Sequence, residues 1–94
     1  MNEELKPIPF STEHEGIDYP RVAKMLVMEE ASALHLQIEE LYVVWFAYIL
    51  GGWKALVSTS RADGRYYEVT HNQKKSETYV DTYVKTNNSV YYSA

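Results

Sequence analysis

The side chains that could carry out chemistry in this chain are few, and His35 and Glu39 form the most suggestive pair. Residues four apart on a helix share a face, and this spacing suits two metal ligands. Only one such pair occurs, no third ligand is evident, and the other histidines lie in "EHE" (residues 13–15) and at the end of a predicted strand. Surface histidines explain this pattern better, so we predict no metal site and no cofactor.

Nucleophilic and acid–base catalysis are not favoured either. Ser58 and Ser60 lie in a predicted strand rather than on the sharp turn of a Gly-x-Ser-x-Gly motif. Asp63 beside Gly64 is typical of a turn, and Glu68 is a single carboxylate on a polar face. The "GGW" segment precedes no helix that could hold a phosphate. We therefore predict that the protein is not an enzyme.

The composition fits one small soluble domain. The chain has 94 residues, of which 46% are hydrophobic and 23% charged, and it has no cysteine for disulfides or thiolate metal sites. Its net charge of -4 does not favour binding to nucleic-acid phosphates. The longest apolar run, residues 41–53, is shorter than the about 20 residues of a membrane helix. We expect a cytoplasmic protein that does not enter a membrane.

A helix is predicted after an irregular N-terminal arm. Residues 1–17, with their prolines and acidic side chains, are assigned to the arm, and residues 18–94 to a single domain. Pro20 suits a first helical turn, because its missing N–H needs no partner there. The apolar spacing then predicts a helix that ends near Leu34 and is followed by a bridging turn.

From Tyr42 the apolar period changes to two. The segments "YVVWFAYIL", "WKALVSTS" and "RYYEVTH" predict three strands, joined by tight turns at "GG" and "RADG". Ser76 is a candidate N-cap for a C-terminal helix over "ETYVDTYVK". "SVYYSA" follows as an extended tail that could add an edge strand to the sheet. The predicted fold class is α+β: a three-stranded antiparallel meander with an N-terminal and a C-terminal helix on one face.

The predicted register sorts the strand side chains into two faces. It pairs Tyr48 with Ala55 and Val57 with Val69. The predicted core face contains Val44, Phe46, Tyr48, Leu50, Trp53, Ala55, Val57, Tyr67 and Val69. The opposite face mixes aromatic and polar groups, as binding hot spots do. The predicted partner-binding residues on that face are Trp45, Lys54, Leu56, Tyr66 and Glu68. The alternative is that the tail or the arm covers this face.

Four segments of the chain resemble a family of small bacteriophage and prophage proteins whose domain has no known function. They are "YVVW" (42–45), "KALVST" (54–59), "DGRYYEVTHN" (63–72) and "YVDTYVK" (79–85). The resemblance begins at residue 41 and covers about half of the chain. It implies a phage or prophage origin and a stand-alone small domain, and it brings no catalytic or ligand residues with it.

Two functions are expected from these patterns. The first is a phage-type accessory protein that binds a host or phage protein, with inhibition of a host process as one outcome; a homodimer through the same face is a variant of this hypothesis. The alternative is a nucleic-acid-binding module, because helix, three strands and helix is also the order of double-stranded RNA-binding domains. Lys74 and Lys75 precede the last predicted helix, as phosphate-binding lysines would, but the negative net charge argues against this alternative.

Overall fold

One α-helix precedes four consecutive strands that form a single antiparallel sheet. The computed structural model of the chain describes residues 16–93, so the predicted arm lies outside the described residues except for residues 16 and 17. The elements are α1 (Tyr19–Glu30), two single 3-10 turns (Ser32–Leu34 and Ile38–Glu40), β1 (Leu41–Ile49), β2 (Gly52–Thr59), β3 (Arg65–Asn72) and β4 (Glu77–Val84). The strand order follows the chain, so β1 and β4 are the sheet edges. The broad α+β prediction is confirmed.

Local chemistry sets both ends of α1. The Asp18 carboxylate accepts a hydrogen bond from a backbone N–H of the first turn at 3.1 Å, and Pro20 lies in that turn as predicted. The helix ends at Glu30, earlier than the apolar spacing predicts, because the chain turns through Ser32–Leu34 and through His35, whose φ is 52°. The helix is therefore 12 residues long, or roughly 18 Å at about 1.5 Å per residue.

The two hairpin turns lie at the predicted glycines, but the strand pairs are shifted by two residues from the predicted register. Gly51 (φ 85°) and Gly64 (φ 72°) take left-handed conformations that suit glycine. Tyr48 lies opposite Trp53 rather than Ala55. Likewise, Val57 lies opposite Tyr67 rather than Val69. Because successive side chains alternate, a shift of two residues leaves the side chains of β2 and β3 on their predicted faces.

A β-bulge at Val44 changes the predicted faces at the start of β1. The register with β2 shifts between Val43 and Trp45, so Val44 has no opposite residue in β2. Val44 is half-exposed, and Val43 packs against the core instead. Leu50 lies in the turn after β1 and is fully exposed. The predicted core positions of Val44 and Leu50 are therefore wrong.

The predicted C-terminal helix is also wrong, because residues 77–84 form β4 and pair with β3 along their whole length. Ser76 does not cap a helix; it takes a left-handed φ of 53° in the turn before β4. Six of the eight residues in "ETYVDTYV" are Thr, Tyr or Val, which favour strands. Pairing with β3 outweighs the helical stripe that the tyrosines and valines could also form.

The core lies between α1 and one face of the sheet. Ala23 and Val27 of the helix are fully buried against alternate residues of β2 and β3. The buried apolar residues are Ala23, Val27, Leu36, Leu41, Trp53, Ala55, Val57, Tyr67 and Val69. Removal of their surface from water is the main stabilising contribution to the fold. Among the described residues, no helix or strand packs on the opposite face of the sheet.

An ion pair near the end of β2 ties the linker after α1 to the sheet. Arg61 donates through Nε to Glu40 Oε1 at 2.6 Å and through Nη2 to Glu40 Oε2 at 3.2 Å. Its Nη1 also donates to the Leu34 carbonyl oxygen at 2.9 Å. The hydrogen bond from Arg61 lowers the pKa of Glu40 below its usual value of 4.5. The charged form of Glu40 is therefore the one that the fold stabilises.

Glu40→Gln is expected to lower the urea midpoint of unfolding at neutral pH by a small amount, because the ion pair with Arg61 is exposed. A carboxylate whose pKa is lower in the folded state contributes stability above its unfolded pKa, near 4.5. That contribution is lost as the pH falls through the lower folded pKa, so the difference from the unsubstituted protein shrinks below pH 4.5. Glu39→Gln, an exposed neighbour, is the matched control. A difference that stays constant with pH would contradict the role of the ion pair.

Candidate partner-binding face

The face of the sheet opposite α1 carries all five side chains of the predicted binding surface. Trp45 lies opposite Leu56, and Leu56 lies opposite Glu68. Lys54 and Tyr66 alternate with buried residues of the same strands, so they point to this side as well. We call this surface the open face; it comprises Trp45, Lys54, Leu56, Tyr66, Glu68 and, from β4, Glu77, Tyr79, Asp81 and Tyr83.

Trp45 and Tyr66 are partly exposed rings on the open face. Their exposed fractions are 41% and 40%, whereas Trp53 on the core face is 3% exposed. The half-buried Leu56 lies between them, opposite Trp45 and two residues from Ser58, which lies opposite Tyr66. Aromatic rings with few rotatable bonds lose little conformational freedom when a partner covers them. The open face therefore has the residue types and the accessibility that a binding surface requires.

Glu68 links three strands of the open face. Lys54 Nζ in β2 lies 3.4 Å from Glu68 Oε2 in β3. From β4, Tyr83 donates its hydroxyl hydrogen to Glu68 Oε1 at 3.2 Å. This hydrogen bond, together with the negative charges of Glu68 and Asp81, raises the pKa of Tyr83, so its phenol remains a donor at neutral pH. The structure thus brings Lys54 and Glu68 together and adds a tyrosine to them.

β4 contributes rings to the open face that the sequence analysis missed. Tyr66 and Tyr83 are stacked, with ring centroids 5.9 Å apart and planes inclined by 22°. Tyr79 donates its hydroxyl hydrogen to Glu77, which raises the pKa of Tyr79. The predicted C-terminal helix placed both β4 tyrosines in a stripe over the core. The signal that finds them is the alternation of Tyr with Thr and Val in "ETYVDTYV".

The C-terminal tail does not cover the open face. Residues 85–93 are exposed throughout, and Tyr91 and Tyr92 are each 91% exposed. The sheet consists of β1 to β4 only among the described residues, so the tail adds no edge strand there. The prediction that the tail could extend the sheet or cover its outer face is therefore wrong for residues 85–93, and the predicted covering by the arm lies outside the described residues.

The candidate metal ligands of the sequence lie apart from one another. His35 takes a left-handed conformation between two 3-10 turns, so His35 and Glu39 share no helical face. His71 Nδ1 shares a hydrogen bond with the Thr78 hydroxyl at 2.8 Å. In residues 16–93 no three His, Asp or Glu side chains lie close enough to hold a metal ion. Over the same part of the chain, no helix has the length and apolar character needed to cross a bilayer.

The fold and the open face define a small α+β domain whose antiparallel sheet is covered by a helix on one side. The chain belongs to a family of unknown function, DUF6275, whose model matches residues 20–93. This match confirms a domain of unknown function, and it extends over α1 and the tail, which the sequence resemblance left out. No curated protein and no solved structure matches the chain.

Proposed function

We propose that the open face is a docking surface for a protein partner and that the protein acts by binding rather than by catalysis. The observation that carries this proposal is a set of exposed rings on a sheet face that no described helix or strand covers: Trp45, Tyr66, Tyr79 and Tyr83. Contiguous apolar patches on soluble proteins commonly mark interaction surfaces. Burial of Trp45 and Tyr66 supplies most of the affinity.

The charges of the open face favour a partner with basic side chains. Its strands present three carboxylates, those of Glu68, Glu77 and Asp81, and one cation, Lys54. Lys54 pairs with Glu68 and sets the orientation of the partner. Asp81 lies opposite Glu68 and makes no ion pair or hydrogen bond with a described residue. Like charges in opposite positions repel, so a lysine or arginine of the partner is stabilised there. The adjacent tyrosine rings favour the same cation.

The resemblance of four segments to small phage and prophage proteins supports a more specific role. In this proposal the chain is a phage-type accessory protein that acts in the cytoplasm of the host cell. Its partner is a host or phage protein, and inhibition of a host process is one outcome of that binding. Two of the resembling segments supply four of the five sequence-predicted binding residues: "KALVST" contains Lys54 and Leu56, and "DGRYYEVTHN" contains Tyr66 and Glu68.

The structure gives no support to binding of double-stranded RNA as a second function. The alternative rested on a helix after the third strand, and β4 occupies that place. Lys74 and Lys75 lie in the turn between β3 and β4 rather than before a helix. No feature of the described residues favours an RNA groove over a protein surface.

Affinity capture from a lysate of the bacterial host, followed by mass spectrometry, tests the proposal. We expect the double variant Trp45→Ser/Tyr66→Ser to bind the captured partner at least about 100-fold more weakly than the unsubstituted chain does, since an aromatic anchor contributes roughly 2 kcal/mol or more. The matched control is Tyr91→Ser/Tyr92→Ser, which removes two more exposed rings that lie in the tail. The control should bind as the unsubstituted chain does.

The double variant must remain folded for this comparison to be valid. Both rings lie outside the buried core, so its far-UV circular dichroism and unfolding midpoint should stay close to those of the unsubstituted chain. Unfolding of the double variant, or equal binding by it, would contradict the docking surface.

Asp81→Asn tests the partner's charge separately: it should weaken binding at low salt and much less at high salt. An Asp81→Asn variant with unchanged affinity would contradict only the basic partner.

A further inference from the structure

We propose that the free edge of β4 pairs with the same edge of a second copy of this chain, which joins two four-stranded sheets into one. In an antiparallel pair of strands, every second residue of one strand hydrogen-bonds to the other through its N–H and C=O groups. The Lys85 N–H donates to the Gly64 carbonyl oxygen at 2.7 Å, so the odd-numbered residues of β4 bond to β3. The even-numbered residues of β4 direct their N–H and C=O groups outward. Within residues 16–93 no strand pairs with these outward groups.

The two edges of the sheet differ in their protection against pairing. β1 contains the bulge at Val44, a common device that disturbs an edge strand. β4 pairs with β3 without interruption and contains no proline and no lysine. Its side chains are exposed on both faces except for Val80, which is half-buried. Glu77 and Asp81 are the only charged residues of β4, so an unbroken edge of this kind can still act as a template for another strand.

The charges on β4 discriminate between the registers in which two copies could pair. A two-fold axis at Val80 places Glu77 opposite Tyr83 of the other copy and Tyr79 opposite Asp81. Each carboxylate then lies beside a phenol, and no like charges are opposed. The even-numbered residues form the hydrogen-bonded pairs of this ladder, and Val80 lies opposite Val80 of the other copy.

Other registers are less favourable. A two-fold axis at Asp81 places the two Asp81 carboxylates opposite each other. An axis at Tyr79 places Glu77 of each copy opposite Asp81 of the other. An axis at Thr82 avoids these contacts but pairs only residues 80–84 of the strand, against residues 77–83 for the axis at Val80. The axis at Val80 therefore gives the longest ladder without opposed like charges.

This dimer leaves the open face accessible. Opposite residues of an antiparallel pair point to the same side of the sheet, so the open faces of both copies lie on one side of the joined sheet. Trp45 lies in β1, at the far edge from the axis. The edge pairing uses neither Trp45 nor Tyr66, the two rings expected to supply most of the affinity for the partner. Either proposal can therefore fail without the other.

Cysteine cross-linking of the full chain tests the register, because the chain has no cysteine of its own. Val80→Cys is expected to form a disulfide-linked dimer on mild oxidation, since the axis brings the two Cα atoms to about 5.5 Å. Thr82→Cys is the matched control: its Cα atoms lie roughly 14 Å apart, beyond the about 7 Å limit for a disulfide. Cross-linking of Thr82→Cys in place of Val80→Cys, or of neither, overturns the proposal.

Sedimentation over a concentration series gives a second measurement. The unsubstituted chain should approach twice the monomer mass, and a monomer at every concentration overturns the proposal. Thr82→Pro removes an outward N–H that β3 does not use and should raise the dimer dissociation constant at least about tenfold. Thr82→Ala keeps that N–H and should keep the dimer.

The Trp45→Ser/Tyr66→Ser variant separates this proposal from the docking surface. We expect it to dimerise as the unsubstituted chain does, because neither ring lies at the β4 edge. Loss of the dimer in that variant would show that the copies meet through the open face and would overturn edge pairing. If Thr82→Pro does not fold, the cross-linking of Val80→Cys decides between the outcomes.

Discussion

Gly52→Ala is expected to lower the free energy of unfolding by more than about 4 kcal/mol, a large fraction of the stability of a domain of this size. A Cβ atom at this position would overlap the backbone carbonyl oxygen of His71 and approach its carbonyl carbon to 2.9 Å. Both atoms belong to the backbone of β3, so no side-chain rotation relieves the contact. The ends of β2 and β3 would have to separate, and the 2.7 Å hydrogen bond from the Gln73 N–H to the Gly51 carbonyl oxygen lies at that point.

Gly51→Asn is the matched control for Gly52→Ala. Gly51 has a φ of 85° and open space where its Cβ would lie. Asparagine tolerates the left-handed conformation, so this substitution should cost about 1 kcal/mol or less. Urea unfolding followed by circular dichroism compares the two variants. A Gly52→Ala protein as stable as Gly51→Asn would show that β2 and β3 do not approach each other this closely.

Trp53→Ala is expected to cost about 3–5 kcal/mol of unfolding free energy, since it removes the largest side chain of the core. The Trp53 ring centroid lies 5.5 Å from that of Tyr19, 5.5 Å from that of Phe46 and 5.6 Å from that of His71. These rings come from α1, β1 and β3, so Trp53 joins the helix to three adjacent strands. Urea unfolding measures the loss, and the near-ultraviolet circular dichroism should weaken with it.

Trp53→Phe shows how much of this loss comes from ring packing. The Trp53 Nε1–H makes no hydrogen bond with a described residue, so its removal leaves no partner without a bond. Phenylalanine keeps an aromatic ring in contact with its neighbours, and we expect a loss below about 2 kcal/mol. Equal losses for Trp53→Phe and Trp53→Ala would contradict the packing of the three rings as the source of the stability.

The faces of β2 and β3 could be predicted from the sequence even though their register could not. Turn glycines limit the register only to within a residue or two, because the same dipeptide can lie in the loop or at the strand end, as Gly52 does. A shift of two residues restores the side of every side chain. Trp53 and Tyr67 are therefore core residues as predicted, and Lys54, Leu56 and Tyr66 lie on the other side.

The bulge and β4 could not be predicted from local patterns. Nothing in "YVVW" distinguishes Val43 from Val44, and only pairing with β2 decides which of the two reaches the core. "ETYVDTYV" has both a helical stripe and strand-forming residues, and the choice depends on β3, whose second edge it fills. The Glu40–Arg61 ion pair joins residues 21 positions apart, a distance at which sequence spacing carries no information. The β4 residues of the open face could not be predicted either, because their positions depend on whether this segment forms a helix or a strand.

Within residues 16–93, α1 is the only element that packs on a face of the sheet, so a partner that docks on the open face would change the thermal stability of the protein. A partner that covers the open face binds the native chain and not the unfolded one, so mass action raises the melting temperature. At a free concentration about 100-fold above Kd, the native state gains about 2.7 kcal/mol. A melting curve can thus register the partner without a label and without knowledge of the process in which that partner takes part.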